Sequence, residues 1–184
     1  IEGFYGHWVI DLMKRGMKLV TVDPKVTWLA SKSELHLRVR PGTDAALALG
    51  MMKVIIEEDL YDHEFVDNWC YGFDELAERA KEFDVKRVSE ITWVPEEKII
   101  AAARMLGNAK NSTLQWGVAV DMTREAMPAG QAILALWEIT GNMERPGGMI
   151  VAPEILSVAG GWGREILGPE QEAKRIGIKD YPLY

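Results

Sequence analysis

Two spacings of apolar residues run along this chain, and the switch between them marks its elements. Met17-Lys18-Leu19-Val20-Thr21-Val22 is a short β-rich run with no clean alternation, which predicts a strand buried on both faces. It stops at Asp23-Pro24, where proline removes a donor and pushes the preceding residue out of helical space. Upstream, Val9, Ile10, Leu12 and Met13 followed by Gly16 predict a short helix packed on a sheet. Helix, glycine and strand make the second half of a βαβ unit whose first strand is expected before residue 1. Downstream come a short helix, a second strand over Leu35 to Val39, and the loop Arg40-Pro41-Gly42-Thr43-Asp44.

Helical spacing then takes over. Ala45 to Glu58 is the strongest helix, with Ala46, Leu47, Leu49, Met52, Val54, Ile55 and Ile56 on a broad apolar face and Met51 and Met52 as core filler. Asp62 is the expected N-cap of a further helix. His63, between Asp62 and Glu64, is read as part of a solvated face, because three consecutive side chains cannot converge on one point of a helix. Gly72 to Phe83 predicts an acidic helix with i,i+4 pairs, 84–92 a connector, and Val94 to Met105 a helix opened by Pro95. Ser112 to Val120 is expected to be a second parallel-type strand, and Gln131 to Ile139 a helix stopped at Thr140-Gly141-Asn142. Met143 to Gly148 is a turn, and beyond Met149 the pattern thins. Ala159 to Gly163 is glycine-rich but lacks a strand–loop–helix frame, so a flexible loop is expected there, and Glu165 to Tyr184 is charged without a core face.

Composition narrows the class. The 184 residues can hold one sizeable core, and 48% hydrophobic content with 27% charge is globular. The net charge of −7 argues against a nucleic-acid surface. One cysteine, Cys70, excludes an internal disulfide and cannot alone build a zinc or iron–sulfur site; it is read as a small buried residue beside Trp69. No run reaches the ~20 apolar residues of a membrane-spanning helix. Trp8, Trp28, Trp93, Trp116 and Trp137 are read as core or interdomain packing.

The candidate chemistry lies at the strand ends. Open α/β sheets place ligands at the carboxyl ends of parallel strands. Asp23 there can accept two hydrogen bonds from a ribose diol. Asp44, after the second strand, can accept paired N–H donors from a purine edge or cap the helix beginning at about Thr43. By spacing alone, turn and cap chemistry is the simpler account of both aspartates.

The motifs change that balance. Val22-Asp23-Pro24-Lys25, Trp28-Leu29-Ala30 and Leu37 to Leu47 through Arg40-Pro41-Gly42-Thr43-Asp44 resemble the molybdopterin oxidoreductase (dimethyl sulfoxide reductase) family, with its VDPR turn and IRPGTD loop. Ile55 to Asp62, Gly72 to Leu76, Ile91 to Pro95 and Ile139 to Asn142 continue the match in order, over most of Gly6 to Gly148. The resemblance implies an α/β, Rossmann-like three-layer fold with a mainly parallel sheet flanked by helices, incomplete as a fragment. Residues 1–150 would be the dinucleotide-binding region and 151–184 an irregular extension toward missing sequence. It implies a molybdenum or tungsten bis(molybdopterin guanine dinucleotide) cofactor, with Asp23, Pro24, Lys25, Pro41, Gly42, Thr43 and Asp44 about one guanosine. Gly117, Val118 and Ala119 would approach a pterin or the second dinucleotide. The segment around Trp116 and Gly117 departs from the family's WGMGVTQ pattern at Ala119, Asp121 and Met122, which puts a glutamine contact in doubt. His7 resembles a family histidine and is equally well a packing residue.

The metal ligand and an iron–sulfur cysteine motif would lie outside this chain, so no residue is catalytic and the isolated fragment is expected to be inactive. The rest of the polypeptide, and an iron–sulfur electron-transfer subunit, are the partners the resemblance implies. Localisation, cytoplasmic or by a twin-arginine export signal, is not encoded here. Two other readings stay open: a Rossmann-like NAD-binding domain, against which stands the lack of G-x-G-x-x-G after a strand, and a non-catalytic interaction module.

Overall fold

The computed structural model describes residues 3–151 and 168–174. The chain divides into two compact units, Ile1–Ile150 and Val151–Tyr184. In the second, α9 (Pro169–Glu172) is a single turn, with the Gln171 carboxamide accepting from the Gly168 N–H at 3.0 Å. The glycine-rich 159–163 segment lies outside the described residues.

In the first unit α1 (Gly3–Lys14) leads through Gly16 into β1 (Val20–Val22). A short 3₁₀ turn, Ala30–Lys32, precedes β2 (Leu35–Leu37). The two strands are parallel, with Val20 opposite Leu35, Thr21 opposite His36 and Val22 opposite Leu37. Then follow α2 (Asp44–Glu57), α3 (His63–Trp69), α4 (Phe73–Lys81), α5 (Val85–Thr92), α6 (Glu96–Gly107), α7 (Val118–Asp121) and α8 (Ala126–Glu138). The described residues of this first unit are thus helix-rich α/β, with one small parallel sheet.

The central element is α2, which packs on α4, α5, α6 and α8. Its residues Leu47, Ala48, Met51, Met52, Val54 and Ile55 are all buried, so the helix is apolar nearly all round, as a core helix must be. Ile55 and Met52 are fully buried, each contributing about 1.5–3 kcal/mol. On the sheet side Leu37 and Val39 join this core, and α6 lies against β2. The core therefore holds the ends of β2 and α2, and the loop between them, against one surface.

Three elements differ from expectation. Residues 84–92 are helix α5 instead of a connector, started by the Asp84 carboxylate accepting from the Arg87 N–H at 3.0 Å. Residues 112–120 are not a strand. Side chains 111–117 do alternate between exposed and half-buried, but the amides of 113–117 donate to no other described backbone group. Alternation without a ladder partner leaves an extended segment, and 118–121 wind into one helical turn after Gly117. The charge run of α4 is paired at i,i+3, as Arg79–Glu82 and Lys81–Glu78. The Asp62 cap forms as expected, accepting from the Phe65 N–H at 2.9 Å. His63 is exposed and bonded to Asp59, on the solvated face expected for it. Trp8, Trp28 and Trp93 lie exposed and are not in the core of this unit.

Candidate functional site

The loops after β1 and β2 meet at one end of the sheet because the strands are parallel and in register. The Asp23 N–H donates to the Leu37 carbonyl at 3.1 Å, extending the ladder by one residue. The Asp23 carboxylate accepts through Oδ1 from the Lys25 N–H at 2.7 Å, closing a turn over Pro24. Its own carbonyl accepts from His36 Nε2 at 2.8 Å, and because a carbonyl cannot donate, that nitrogen carries the proton. Arg38 Nε donates to the Pro24 carbonyl at 3.1 Å, and Lys98 Nζ to the His36 carbonyl at 3.1 Å. His36 of β2 and Arg38 just after it thus tie down the turn that carries Asp23, while Lys98 of α6 holds β2 itself.

The second loop is folded on itself. The Arg40 carbonyl accepts from both the N–H and the Oγ1 of Thr43, at 3.2 and 2.7 Å. Gly42 sits at φ 80°, a left-handed conformation that suits glycine, and the space beside it is open. Pro41 and Gly42 are exposed, Thr43 and Asp44 half-buried. The helix starts at Asp44, with Thr43 before it and no side-chain cap bond. Asp44 is therefore the first helical residue, and its carboxylate has no hydrogen-bond or ion-pair partner among the described residues. The amides of Asp44, Ala45 and Ala46 are likewise without backbone acceptors, as at any helix start.

The two aspartate loops are brought together; Gly117, Val118 and Ala119 are not joined to them by any hydrogen bond among the described residues. Those three are exposed at the start of α7, and no atom lies within 4 Å of a Cβ placed on Gly117. His7 is exposed beside Trp8, their ring centroids 4.8 Å apart. Although the chain is acidic overall, Lys25, Arg38 and Arg40 lie in or beside the two loops. The sequence reading placed Arg40 in the loop but missed its partners: its guanidinium lies 5.1 Å from the Trp93 ring centroid and its N–H donates to the Thr92 carbonyl at 2.7 Å. The adjacency of Thr92 and Trp93 to an expected helix start was the available signal.

One buried polar atom supports a ligand at this end. The Thr21 hydroxyl is buried with no hydrogen-bond partner, and by strand alternation it shares a face of β1 with Asp23. An open groove of about 490 Å³ lies elsewhere, lined by Phe65, Trp69, Cys70, Tyr71, Phe73 and Glu138. It holds no convergent polar set, which leaves the strand ends as the candidate site. Cys70 there is half-buried, and burial first, then Glu138, pushes its thiol above the ordinary range. Among the described residues no group of three or more His, Cys, Asp or Glu is placed to hold a metal ion, and no helix is long and apolar enough to cross a membrane.

With this geometry in hand, the comparisons decide the family. The family model for molybdopterin oxidoreductases matches residues 5–169. This chain belongs to the molybdopterin oxidoreductase family. Among relatives in the family, acetylene hydratase of Syntrophotalea acetylenica is 38% identical over 173 residues, 93% of this chain and 24% of its own length. Formate dehydrogenase H of Escherichia coli is 32% identical over 138 residues, 75% of this chain and 19% of that protein. The alpha subunit of F420-dependent formate dehydrogenase 2 of Methanococcus maripaludis is 30% identical, across 76% of this chain and 21% of that subunit. The solved structure of acetylene hydratase from Pelobacter acetylenicus superposes with a TM-score of 0.76 at 36% identity, covering 95% of this chain and 24% of that one. The chain thus spans about a fifth to a quarter of the length of these relatives, and the family implies a molybdenum or tungsten molybdopterin cofactor.

Proposed function

We propose that this chain is the dinucleotide-binding part of a molybdenum or tungsten enzyme carrying bis(molybdopterin guanine dinucleotide). On this reading Asp23 and Asp44 flank one guanosine. The observation that carries it is the half-buried Asp44 carboxylate without a protein partner, at the end of the strand beside the one that leads to Asp23. A carboxylate presents two acceptors side by side, and the guanine edge presents two adjacent N–H donors where adenine presents one amino group. Such charge-assisted pairs contribute about 1.5–3 kcal/mol each. Asp23 has Oδ2 left for a ribose hydroxyl once Oδ1 is used by Lys25.

The donors fit as well as the acceptors. Pro41, Gly42 and Thr43 shape a loop whose open side lets a ligand approach backbone. The free amides of α2 and the cations Lys25 and Arg38 suit phosphate. On the same reading Pro24 holds the Asp23 turn, and Gly117, Val118 and Ala119 offer open backbone to a pterin or the second dinucleotide. Residues 1–150 are then the dinucleotide region of a Rossmann-like three-layer fold, and 151–184 an extension of it. When bound, the metal–pterin group supplies the redox or hydration chemistry. The residues described here bind and orient it.

We also propose that the longer protein is a molybdopterin-dependent enzyme and works with the rest of its polypeptide, an iron–sulfur cluster and an electron-transfer subunit. That some relatives are alpha subunits supports a partner. Acetylene hydratase and formate dehydrogenases differ in substrate, so no single substrate is proposed.

The test is a titration of this chain, and of an Asp23→Ala/Asp44→Ala double variant, with GMP, GDP, AMP and NAD. Guanine-selective binding that disappears in the double variant is expected. Preference for NAD in the unmodified chain would replace this reading with a dehydrogenase-type nucleotide domain.

A further inference from the structure

The loop carrying Asp44 is held from behind by the end of α5, where one residue is out of character. Trp93 closes that helix at φ 63°, a left-handed backbone disfavoured for any residue with a Cβ and natural for glycine. The residue is 67% exposed, so burial does not account for a tryptophan there. What the ring touches is the Arg40 guanidinium, 5.1 Å from its centroid. The neighbouring Thr92 is fully buried, its Oγ1 donating to the Val88 carbonyl at 2.7 Å and accepting from the Val94 N–H at 3.2 Å. Its carbonyl accepts the Arg40 N–H at 2.7 Å, and the Arg40 carbonyl in turn accepts both donors of Thr43. Buried Thr92, Arg40, Thr43 and Asp44 therefore form one continuous tether, and Trp93 fixes the single long side chain in it.

We propose that Trp93 is a positioning residue for the nucleotide site: by pinning Arg40 it holds the loop Arg40–Thr43 in place and thereby the Asp44 carboxylate. The inference rests on the nucleotide reading of Asp23 and Asp44. Pairing one carboxylate with two adjacent donors depends on angle, so loosening the loop weakens guanine binding more than adenine binding. Trp93 thus sets base selectivity without touching the base.

Glycine at this position separates the roles, because it removes the ring, leaves Arg40 in place and suits the backbone. GMP and AMP affinities are measured for the unmodified chain and for Trp93→Gly, Trp93→Phe, Arg40→Ala and Asp44→Ala, with urea midpoints alongside. Trp93→Gly is expected to lower GMP affinity about tenfold and to narrow the GMP-to-AMP ratio, with stability equal to or above that of the unmodified chain. Trp93→Phe keeps an aromatic face and stays within about threefold. Arg40→Ala matches Trp93→Gly, and combining the two adds nothing further.

If Trp93→Gly and Arg40→Ala bind GMP normally while Asp44→Ala loses it, the positioning role is wrong and the nucleotide reading stands. A loss shared by Trp93→Gly and Trp93→Phe in step with lowered stability makes Trp93 a folding residue and overturns the proposal. No guanine preference in the unmodified chain refutes the nucleotide reading and this inference together.

Discussion

Gly50 of α2 lies against Val88 of α5, and its substitution measures that approach. A Cβ added to Gly50 would lie 2.8 and 2.9 Å from the two γ-methyls of Val88 and 3.1 Å from its Cβ. Val88 is fully buried and β-branched on a helix, so its side chain has one good rotamer and cannot swing away. Overpacking of this kind costs about 1–3 kcal/mol. Alanine in place of glycine inside a helix returns about 0.8–1.0 kcal/mol, so Gly50→Ala should destabilise by about 1 kcal/mol net. Removing the obstacle reverses the sign. Val88→Ala deletes two methyl groups at about 0.8 kcal/mol each plus a cavity cost, and in that background Gly50→Ala should stabilise by about 1 kcal/mol. The coupling between the two positions is therefore about 2 kcal/mol. Urea denaturation of the four chains, with m held in common, reads it directly. If Gly50→Ala stabilises equally in both backgrounds, α2 and α5 are further apart than described, and the tether from α5 to the Asp44 loop loses its basis.

Three further expectations follow from the same structure. Asn142 is fully buried, accepts from the Ser112 N–H at 2.7 Å and donates to Thr140 Oγ1 at 3.0 Å, so Asn142→Ala should cost about 2–3 kcal/mol in a urea midpoint, and an unchanged midpoint would contradict its role. The raised Cys70 thiol holds less thiolate at any given pH, so its alkylation at mildly alkaline pH should be slower than in the urea-unfolded chain; equal rates would refute the shielding. The Arg104 hydrogen bonds, at 2.7 Å each, hold the Glu58 carboxyl below the ordinary range. A depressed carboxyl contributes stability above its unfolded pKa that is lost as pH falls through the folded one, so Glu58→Gln should lower the midpoint at neutral pH and leave it unchanged in strong acid. A variant with the full acid sensitivity of the original chain would count against the pair.

The elements that were legible in the sequence are those with a local cause. The turn at Asp23-Pro24, the cap at Asp62 and the apolar helix from Ala45 need only their own residues, and each appears where the pattern puts it. Helix α5 was hidden because Val85, Val88 and Ile91 are spaced for a helix but diluted by Lys86, Arg87 and Glu90, which read as a connector. The segment 112–120 shows the opposite fault. Its alternation is real, but a strand is made by its neighbour, and no described strand lies beside it. At the site, both aspartates were visible through motif spacing. Arg40 and Trp93 lie in the same motifs, but their contact was not visible, because a cation stacked on an exposed ring and a left-handed tryptophan are set by how two distant segments meet.

The most direct test of the account is to release and identify the nucleotide held by the longer protein that contains this chain, together with its metal. The account predicts GMP after acid hydrolysis, with molybdenum or tungsten in the same sample, and loss of both when Asp23 and Asp44 are replaced by alanine. AMP or NAD in place of GMP, or neither nucleotide nor metal, would contradict it.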